Sequence, residues 1–438
     1  MSDKAHHPLP EASLHADDEL HIGLMSGTSM DGVDGVLVAF TPDGTLRATL
    51  GHAFLPMPAS LRAQFTALQH PAPNELHTAA LAAQQLADLY AACTDRLLQQ
   101  TGIPSRLVRA LGAHGQTVRH MPHEGWSLQL LDAPRLAERT GIDVIADLRS
   151  ADLAAGGHGA PLMPAFHAHL FATHPGRFGI LNLGGIANLS IIDSLHGTAS
   201  VSGFDTGPAN TLLDTWIERH QGHRYDHRGQ WAATGQPIPA LLERLLAEPY
   251  FSQPAPKSTG RDLFNLNWLE QHLQALQMAQ VAAGTAPAAP SLPPASAPTP
   301  QHQHQHQHQH QHQHQHEYQP SRAPAASQSL PPENVQATLL ALTARTTAAA
   351  IRAASLSITY VCGGGAENPV LMQAIQQAAG PDISIQSTRA LGIDPQAMEA
   401  TGFAWLARQR VHNTPIALPS ITGARHPSIL GAWHSAPR

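Results

Sequence analysis

The chain has 438 residues, enough for two sizeable cores, and a formal net charge of −7 with 13% charged residues. Its positive residues are scattered, so neither nucleic acid nor an anionic membrane surface is favoured as a partner. No apolar window is long enough to span a bilayer. Cys93 and Cys362 make no disulfide framework, which fits a cytoplasmic protein.

Residues 1–19 are polar, with no apolar h-region, and read as a flexible leader rather than a signal peptide. Residues 21–25 and 36–40 are short apolar runs that predict strands. The turn between them is rich in small residues and acids: Ser26, Gly27, Thr28, Ser29, Asp31, Gly32 and Asp34. Glycines let backbone N–H groups approach an anion, hydroxyls add donors, and carboxylates can hold a bridging cation. This is either a nucleotide-phosphate site built on a β-hairpin or an ordinary polar turn. It contains neither G-x-x-x-x-G-K-[ST] nor G-x-G-x-x-G.

Residues 74–101 carry Leu76, Leu81, Leu86, Tyr90 and Leu97 among many alanines, a spacing that predicts a long amphipathic helix. Residues 107–113 predict a strand ending at Gly112, followed by the polar run His114-Gly-Gln-Thr117. Residues 143–146 predict another short strand, and the alternation with helices argues for α/β domains with mixed sheets. In the stretch that follows, Arg149 suits bidentate contact with a carboxylate or phosphate, and equally a surface or hinge ion pair. Gly156, Gly157 and Gly159 imply a tight loop close to a ligand.

The hairpin pattern recurs at residues 177–193, with Asn182, Gly184 and Gly185 in its turn. Two such hairpins suggest related halves facing each other across a cleft. Asp205 sits in a Gly-flanked turn ahead of a helix bearing Leu212, Leu213 and Trp216. It reads either as a general base or as the cap of that helix. Lys257, Ser258, Thr259 and Arg261 share a turn that is an anion contact or a plain loop. Residues 282–332 form an Ala/Pro/Ser-rich insertion around a Gln-His tract at 301–316, with too little apolar payload to order. The tract is either a metal-responsive store or an expanded low-complexity loop. Residues 335–356 resume a helical pattern. Residues 356–372 then read as a strand, the glycines Gly363, Gly364 and Gly365, and a helix starting near Pro369.

Taken together, these segments resemble the anhydro-N-acetylmuramic acid kinase family of the sugar-kinase/actin-like superfamily. The matching motifs begin with Gly23-Leu-Met-Ser-Gly-Thr-Ser-Met-Asp-Gly-Val-Asp34, Ala113-His-Gly-Gln-Thr117 and Gly156-Gly-His-Gly-Ala-Pro-Leu162. Asn182-Leu-Gly-Gly-Ile-Ala-Asn188, Phe204-Asp-Thr-Gly-Pro208, Lys257-Ser-Thr-Gly-Arg261, Cys362-Gly-Gly-Gly365, Met398-Glu399 and Leu418-Pro-Ser-Ile-Thr-Gly-Ala424 continue the match. The resemblance implies a two-domain, ribonuclease H-like α/β fold with an interdomain cleft. It also implies ATP- and Mg²⁺-dependent opening of a 1,6-anhydro amino sugar with phosphorylation of O6, in cell-wall recycling, by a homodimer.

By the same resemblance Asp205 is the catalytic base. Gly27, Thr28, Ser29, Met30, Asp31, Gly32, Val33 and Asp34 bind ATP together with Asn182, Gly184, Gly185 and Gly363 to Gly365, the last three under the nucleoside. His114, Gln116, Arg149, Gly157 and Glu399 bind sugar, and Asp31 and Glu399 bind metal. His158, Ala209 and Leu130-Leu131 depart from the family pattern near the sugar pocket implied. The expected division is domain I at 20–148 plus 405–438 and domain II at 149–404. A kinase for another amino sugar, or a non-catalytic sensor with a metal-binding tract, are the competing readings. An intact Asp205 and an intact first hairpin argue against the sensor.

Overall fold

The computed structural model describes residues 14–27, 29–194, 200–284 and 330–437. Its strands, in chain order, are β1 (Glu19–Met25), β2 (Gly32–Phe40), β3 (Leu46–Pro56), β4 (Val108–Ala113), β5 (Gln116–Met121), β6 (Trp126–Leu130) and β7 (Val144–Ala146). Then follow β8 (Arg177–Leu183), β9 (Ile186–Asp193), β10 (Ser200–Pro208), β11 (Ile358–Cys362), β12 (Ser384–Ser387) and β13 (Ala432–His434).

The first sheet runs β13-β7-β4-β1-β2-β3 and the second β10-β9-β8-β11-β12. Each is an antiparallel meander of three strands, extended beyond its first strand by two parallel neighbours, and in the first sheet β13 adds an antiparallel edge on β7. The two halves therefore repeat one ribonuclease H-like topology, as expected. A smaller hairpin, β5–β6, stands apart. It was not legible in sequence, because His114-Gly-Gln-Thr117 reads as polar loop.

Strand alternation sorts side chains into three apolar layers. Along β2, Val36, Val38 and Phe40 face the layer between the sheets, while Val33, Leu37 and Ala39 face the outer layer. That outer layer is closed by the helix Glu75–Thr101, which buries Leu86, Tyr90 and Leu97. Leu76 and Leu81 point to solvent instead, so the apolar stripe is narrower than the leucine spacing implied. The other outer layer sets the helices Asn210–Gln221, Pro332–Ala353 and Pro369–Ala379 against the second sheet.

Between the sheets lie the helices Met163–Leu170 and Met398–Val411. The second lies directly on β1 and β4, where Gly23 and Gly112 leave no room for a side chain. A Cβ at either would run into the backbone of Ala400 or Phe403. The helix is unbroken from 398 to 411, so the division expected at 404/405 falls inside one rigid element packed on the first sheet.

The leader expectation is shortened as well. Arg47 Nε donates to Asp18 Oδ1 at 2.8 Å, and β1 starts at Glu19. The insertion is bounded more tightly, by a helix reaching Gly284 and another starting at Pro332. Residues 1–13 and 285–329, with the Gln-His tract, lie outside the described residues. No helix among the described residues is long and apolar enough to cross a membrane.

Replacing Gly23 by Ala should push the 398–411 helix off its sheet. We expect a loss of about 3 kcal/mol, the upper end of overpacking, read as a lowered midpoint of thermal unfolding. Gly102→Ala, at a left-handed position with open space, should cost only about 1 kcal/mol.

Candidate active site

A cleft of about 980 Å³ opens between the two halves, and both hairpins reach it. The first contributes Gly27, Ser29, Asp31, Gly32 and Asp34. Its turn is shorter than expected, because β2 starts at Gly32 and takes in Val33 and Asp34. Met30 N–H donates to the Gly27 carbonyl at 3.1 Å, and the side chains of Met30 and Val33 go down into the core, away from the cleft. Thr28 lies outside the described residues. Asp34 faces both the cleft and His52 Nε2, at 3.1 Å.

The second hairpin contributes Asn182, Gly184 and Gly185. Backbone N–H groups of Ala209 and Asn210 donate to the Gly185 and Gly184 carbonyls at 3.0 and 3.1 Å. These bonds tie the turn to the start of the 210–221 helix.

The triple glycine divides its work. Gly363 is left-handed (φ 80°) and presses on Asn182 and Leu183, and Gly365 also packs on Leu183. Gly364 alone of the three faces open space, and it lines the cleft with Gly363.

Asp205 is not in a turn but in β10, at a register shift between Asp205 and Gly207 that re-aims the strand. Its side chain is 6% exposed and lines the cleft. The helix-cap alternative fails, since the 210–221 helix has no side-chain cap and Asp205 Oδ2 instead accepts the Thr259 N–H at 3.0 Å. Tyr250 Oη donates to the Asp205 carbonyl at 2.7 Å, anchoring the backbone. Burial pushes the Asp205 carboxyl up to about 7, against the opposing pull of the Thr259 N–H and the charges of Arg149 and Lys257.

Arg149 lines the cleft and makes no ion pair among the described residues, which does not fit the surface ion-pair alternative. Its Nη1 donates to the Gly159 carbonyl at 2.7 Å and its Nη2 to His114 Nε2 at 2.9 Å. Burial, then the Arg149 charge, drives the His114 pKa down to about 3. The neutral ring therefore donates from Nδ1 to the Ser26 carbonyl at 3.1 Å and accepts at Nε2.

Beside it Gln116 accepts from Ser26 Oγ at 2.9 Å and donates to the Gly27 carbonyl at 3.2 Å. Neither His114 nor Gln116 lines the cleft. They stand behind its wall, His114 joining Arg149 to the first hairpin and Gln116 bracing that hairpin from β5. Gly157 also stands back, packed on Asp152 and Thr422. His158, Ala209, Leu130 and Leu131, the departures from the family pattern, likewise lie off the cleft surface.

Glu399, in the first turn of the 398–411 helix, lines the cleft. Burial raises its pKa, the Asn182 amide opposes that, and the charge of Asp34 adds to it. Asp214, which sequence reading missed, lines the cleft from the 210–221 helix. Its carboxyl is raised well above the ordinary range by burial and then by Asp31 across the cleft. Only its place one residue after Leu213 could have marked it, and that reads as plain helix surface. Among the described residues no three His, Cys, Asp or Glu side chains group into a metal site.

Two halves of one topology, glycine hairpins meeting across a cleft and a buried carboxylate between them define a two-domain phosphotransferase of the actin-like, sugar-kinase class. Residues 19–289 and 296–436 match the family described as anhydro-N-acetylmuramic acid kinase, and the chain belongs to it. Proteins of that name from Bordetella petrii and Ralstonia nicotianae are 47% and 44% identical to it. The first match covers 95% of this chain and 96% of the relative, the second 95% and 98%. Among solved structures, the activator of the 2-hydroxyisocaproyl-CoA dehydratase from Clostridium difficile with bound ADPNP covers 90% of this chain and 96% of its own. Its identity is 9% and its TM-score 0.40.

The raised Asp205 pKa has two consequences of opposite sign. Base chemistry at this carboxyl needs its ionised form, so the kcat/KM of a reaction that used it should climb tenfold per pH unit up to about 7 and then level. For stability, a folded pKa above the unfolded 3.8 means the folded state holds the proton. The group's destabilising effect therefore grows from about pH 4 to about 7 and persists above. Asp205→Asn should melt higher than wild type at pH 8, and the gap should close by pH 4.

Proposed function

We propose that the chain uses ATP to open the 1,6-anhydro ring of anhydro-N-acetylmuramic acid and phosphorylate O6, giving N-acetylmuramic acid 6-phosphate. The observation that carries the reading is Asp205, a buried carboxylate with a near-neutral pKa lining a cleft between two glycine hairpins. Ionised Asp205 takes a proton from water as the water oxygen bonds to the anomeric carbon. The bond from that carbon to O6 breaks, and O6 takes the γ-phosphoryl group while ADP leaves. The Thr259 N–H holds the carboxylate in place, and Arg149 offsets its charge.

The first hairpin and the turn at Gly184 and Gly185 cradle the triphosphate. Gly364 leaves space beneath the nucleoside. Glu399 and the Arg149 Nε, buried without an acceptor, are suited to sugar hydroxyls or the lactyl carboxylate.

Asp31 and Glu399, both lining the cleft, are oxygen donors of the type Mg²⁺ takes alongside phosphate oxygens. When bound, the cation neutralises charge on the phosphate oxygens. The compartment proposed is the cytoplasm, where ATP is available.

The decisive measurement is product mass, because ring opening adds water as well as the phosphoryl group. N-acetylglucosamine and N-acetylmuramic acid should be poor acceptors, and comparable turnover on either would favour another amino sugar. Asp205→Asn should lower kcat by ~10²–10⁴-fold, the usual cost of losing a general base, with ATP affinity intact. Retention of more than about a tenth of the rate, too small a loss for a base, would remove Asp205 from that role. Asp31→Asn should instead raise the Mg²⁺ concentration needed for half-maximal rate and leave sugar affinity nearly unchanged.

A further inference from the structure

The loop from Lys257 to Arg261 carries four polar residues, and three are already tied into the fold through a side chain or a backbone N–H. Lys257 Nζ donates to the carbonyls of Tyr250 and Phe251 at 3.1 and 3.2 Å and sits over the Tyr250 ring. Ser258 Oγ lies 3.3 Å from His120 Nε2 of β5. Thr259 spends its N–H on Asp205.

Arg261 is different. Its side chain is half-buried and lines the cleft, and its Nε is buried without an acceptor. Among the described residues, its guanidinium has no hydrogen-bond or ion-pair partner. Asp214 and Asp31 act on its charge from the two halves, yet neither reaches it as an ion pair. A guanidinium that faces the cleft with a buried, unfilled Nε calls for an anionic acceptor. Arg149 is a weaker claimant, since two of its nitrogens already serve Gly159 and His114.

Position decides which anion. Arg261 is two residues beyond the N–H that holds the proposed base, and it interacts with Asp31 of the first hairpin. The group that travels between the phosphate hairpin and the base's side of the cleft is the γ-phosphoryl.

We propose that Arg261 is a catalytic residue that grips the γ-phosphoryl oxygens during transfer. The inference rests on the kinase reading above. The bond from the γ-phosphorus to the ADP oxygen breaks as the bond to O6 forms, and Arg261 stays protonated throughout. Its planar fork offers two parallel donors to oxygens whose charge is redistributed in flight.

The test uses the full chain and two variants, R261A and R261K, with binding measured for ADP and for its non-hydrolysable triphosphate analogue, adenylyl imidodiphosphate. R261A should weaken the analogue by about tenfold or more, the worth of a charged hydrogen bond. ADP affinity should stay within about twofold, since ADP lacks the group that Arg261 contacts. R261K, which keeps the charge without the fork, should recover part of the analogue binding. The kcat of R261A should fall by about 10³-fold, the lower end of the range for an arginine acting on a transferring phosphoryl.

Equal weakening of ADP and analogue, or no change in either, overturns the proposal. So does a KM rise confined to anhydro-N-acetylmuramic acid and absent for 1,6-anhydro-N-acetylglucosamine, which would place the lactyl carboxylate on Arg261. An R261A that fails to fold leaves the same comparison to R261K. The nucleotide comparison needs no sugar, so failure of wild type to phosphorylate the anhydro sugar would sink the reaction proposed above independently of Arg261.

Discussion

The molecule depends on how closely two helices approach two sheets. The 398–411 helix lies on β1 and β4 because Gly23 and Gly112 present backbone where side chains would otherwise stand. The 163–170 helix meets β10 at Gly203, where a Cβ would lie 2.6 Å from Pro164 Cγ, and it meets its partner helix at Gly402. This glycine-lined middle layer sets the spacing of the sheets. It also brings their hairpin turns to one cleft and puts Glu399, at the start of the 398–411 helix, into that cleft.

The same layer distributes stiffness. At the floor of the cleft the halves share apolar packing from Phe166, Phe178, Phe403 and Trp405. Elsewhere their contacts are polar: His120 with Ser258 at 3.3 Å, and an ion pair between Arg62 and Glu218. A partly exposed ion pair and one hydrogen bond are each worth about 1 kcal/mol or less. Buried aromatic side chains contribute several times that. The shared apolar layer is therefore the stiffer connection between the halves, and the polar contacts are the weaker one.

Desolvation is the second shaping force, and it acts differently on each charge. It lifts Asp205, Glu399 and Asp214, carboxylates fully charged in neutral water, toward proton exchange, and lowers His114 so that its ring stays neutral. For the role proposed for Asp205 that is useful, since a base poised near neutrality can both take and release a proton. For His114 it enforces one tautomer, which makes the ring a fixed link between Arg149 and the first hairpin.

Much of this was legible in sequence, because local rules wrote it. The two hairpins, the 75–101 helix, the strand-glycine-helix unit at Gly363 and the ordered family motifs follow from periodicity and turn chemistry that neighbours in the chain decide. Pairings between distant segments were not legible. The β5–β6 hairpin depends on residues that read as loop. The placing of Asp205 in a strand depends on the bulge opposite Ala187 and on the N–H of Thr259, more than fifty residues away. His114, Gln116 and Gly157 carry the right motifs, yet they stand behind the cleft wall, and sequence cannot tell contact from support. Asp214 and Arg261 gain their meaning only across the cleft, where Asp31 faces both. The sequence by itself determined which elements form and which family they belong to. Only the tertiary structure decided which side chains meet the cleft and how their charges shift, because burial and facing charges belong to the assembled halves and not to any local segment.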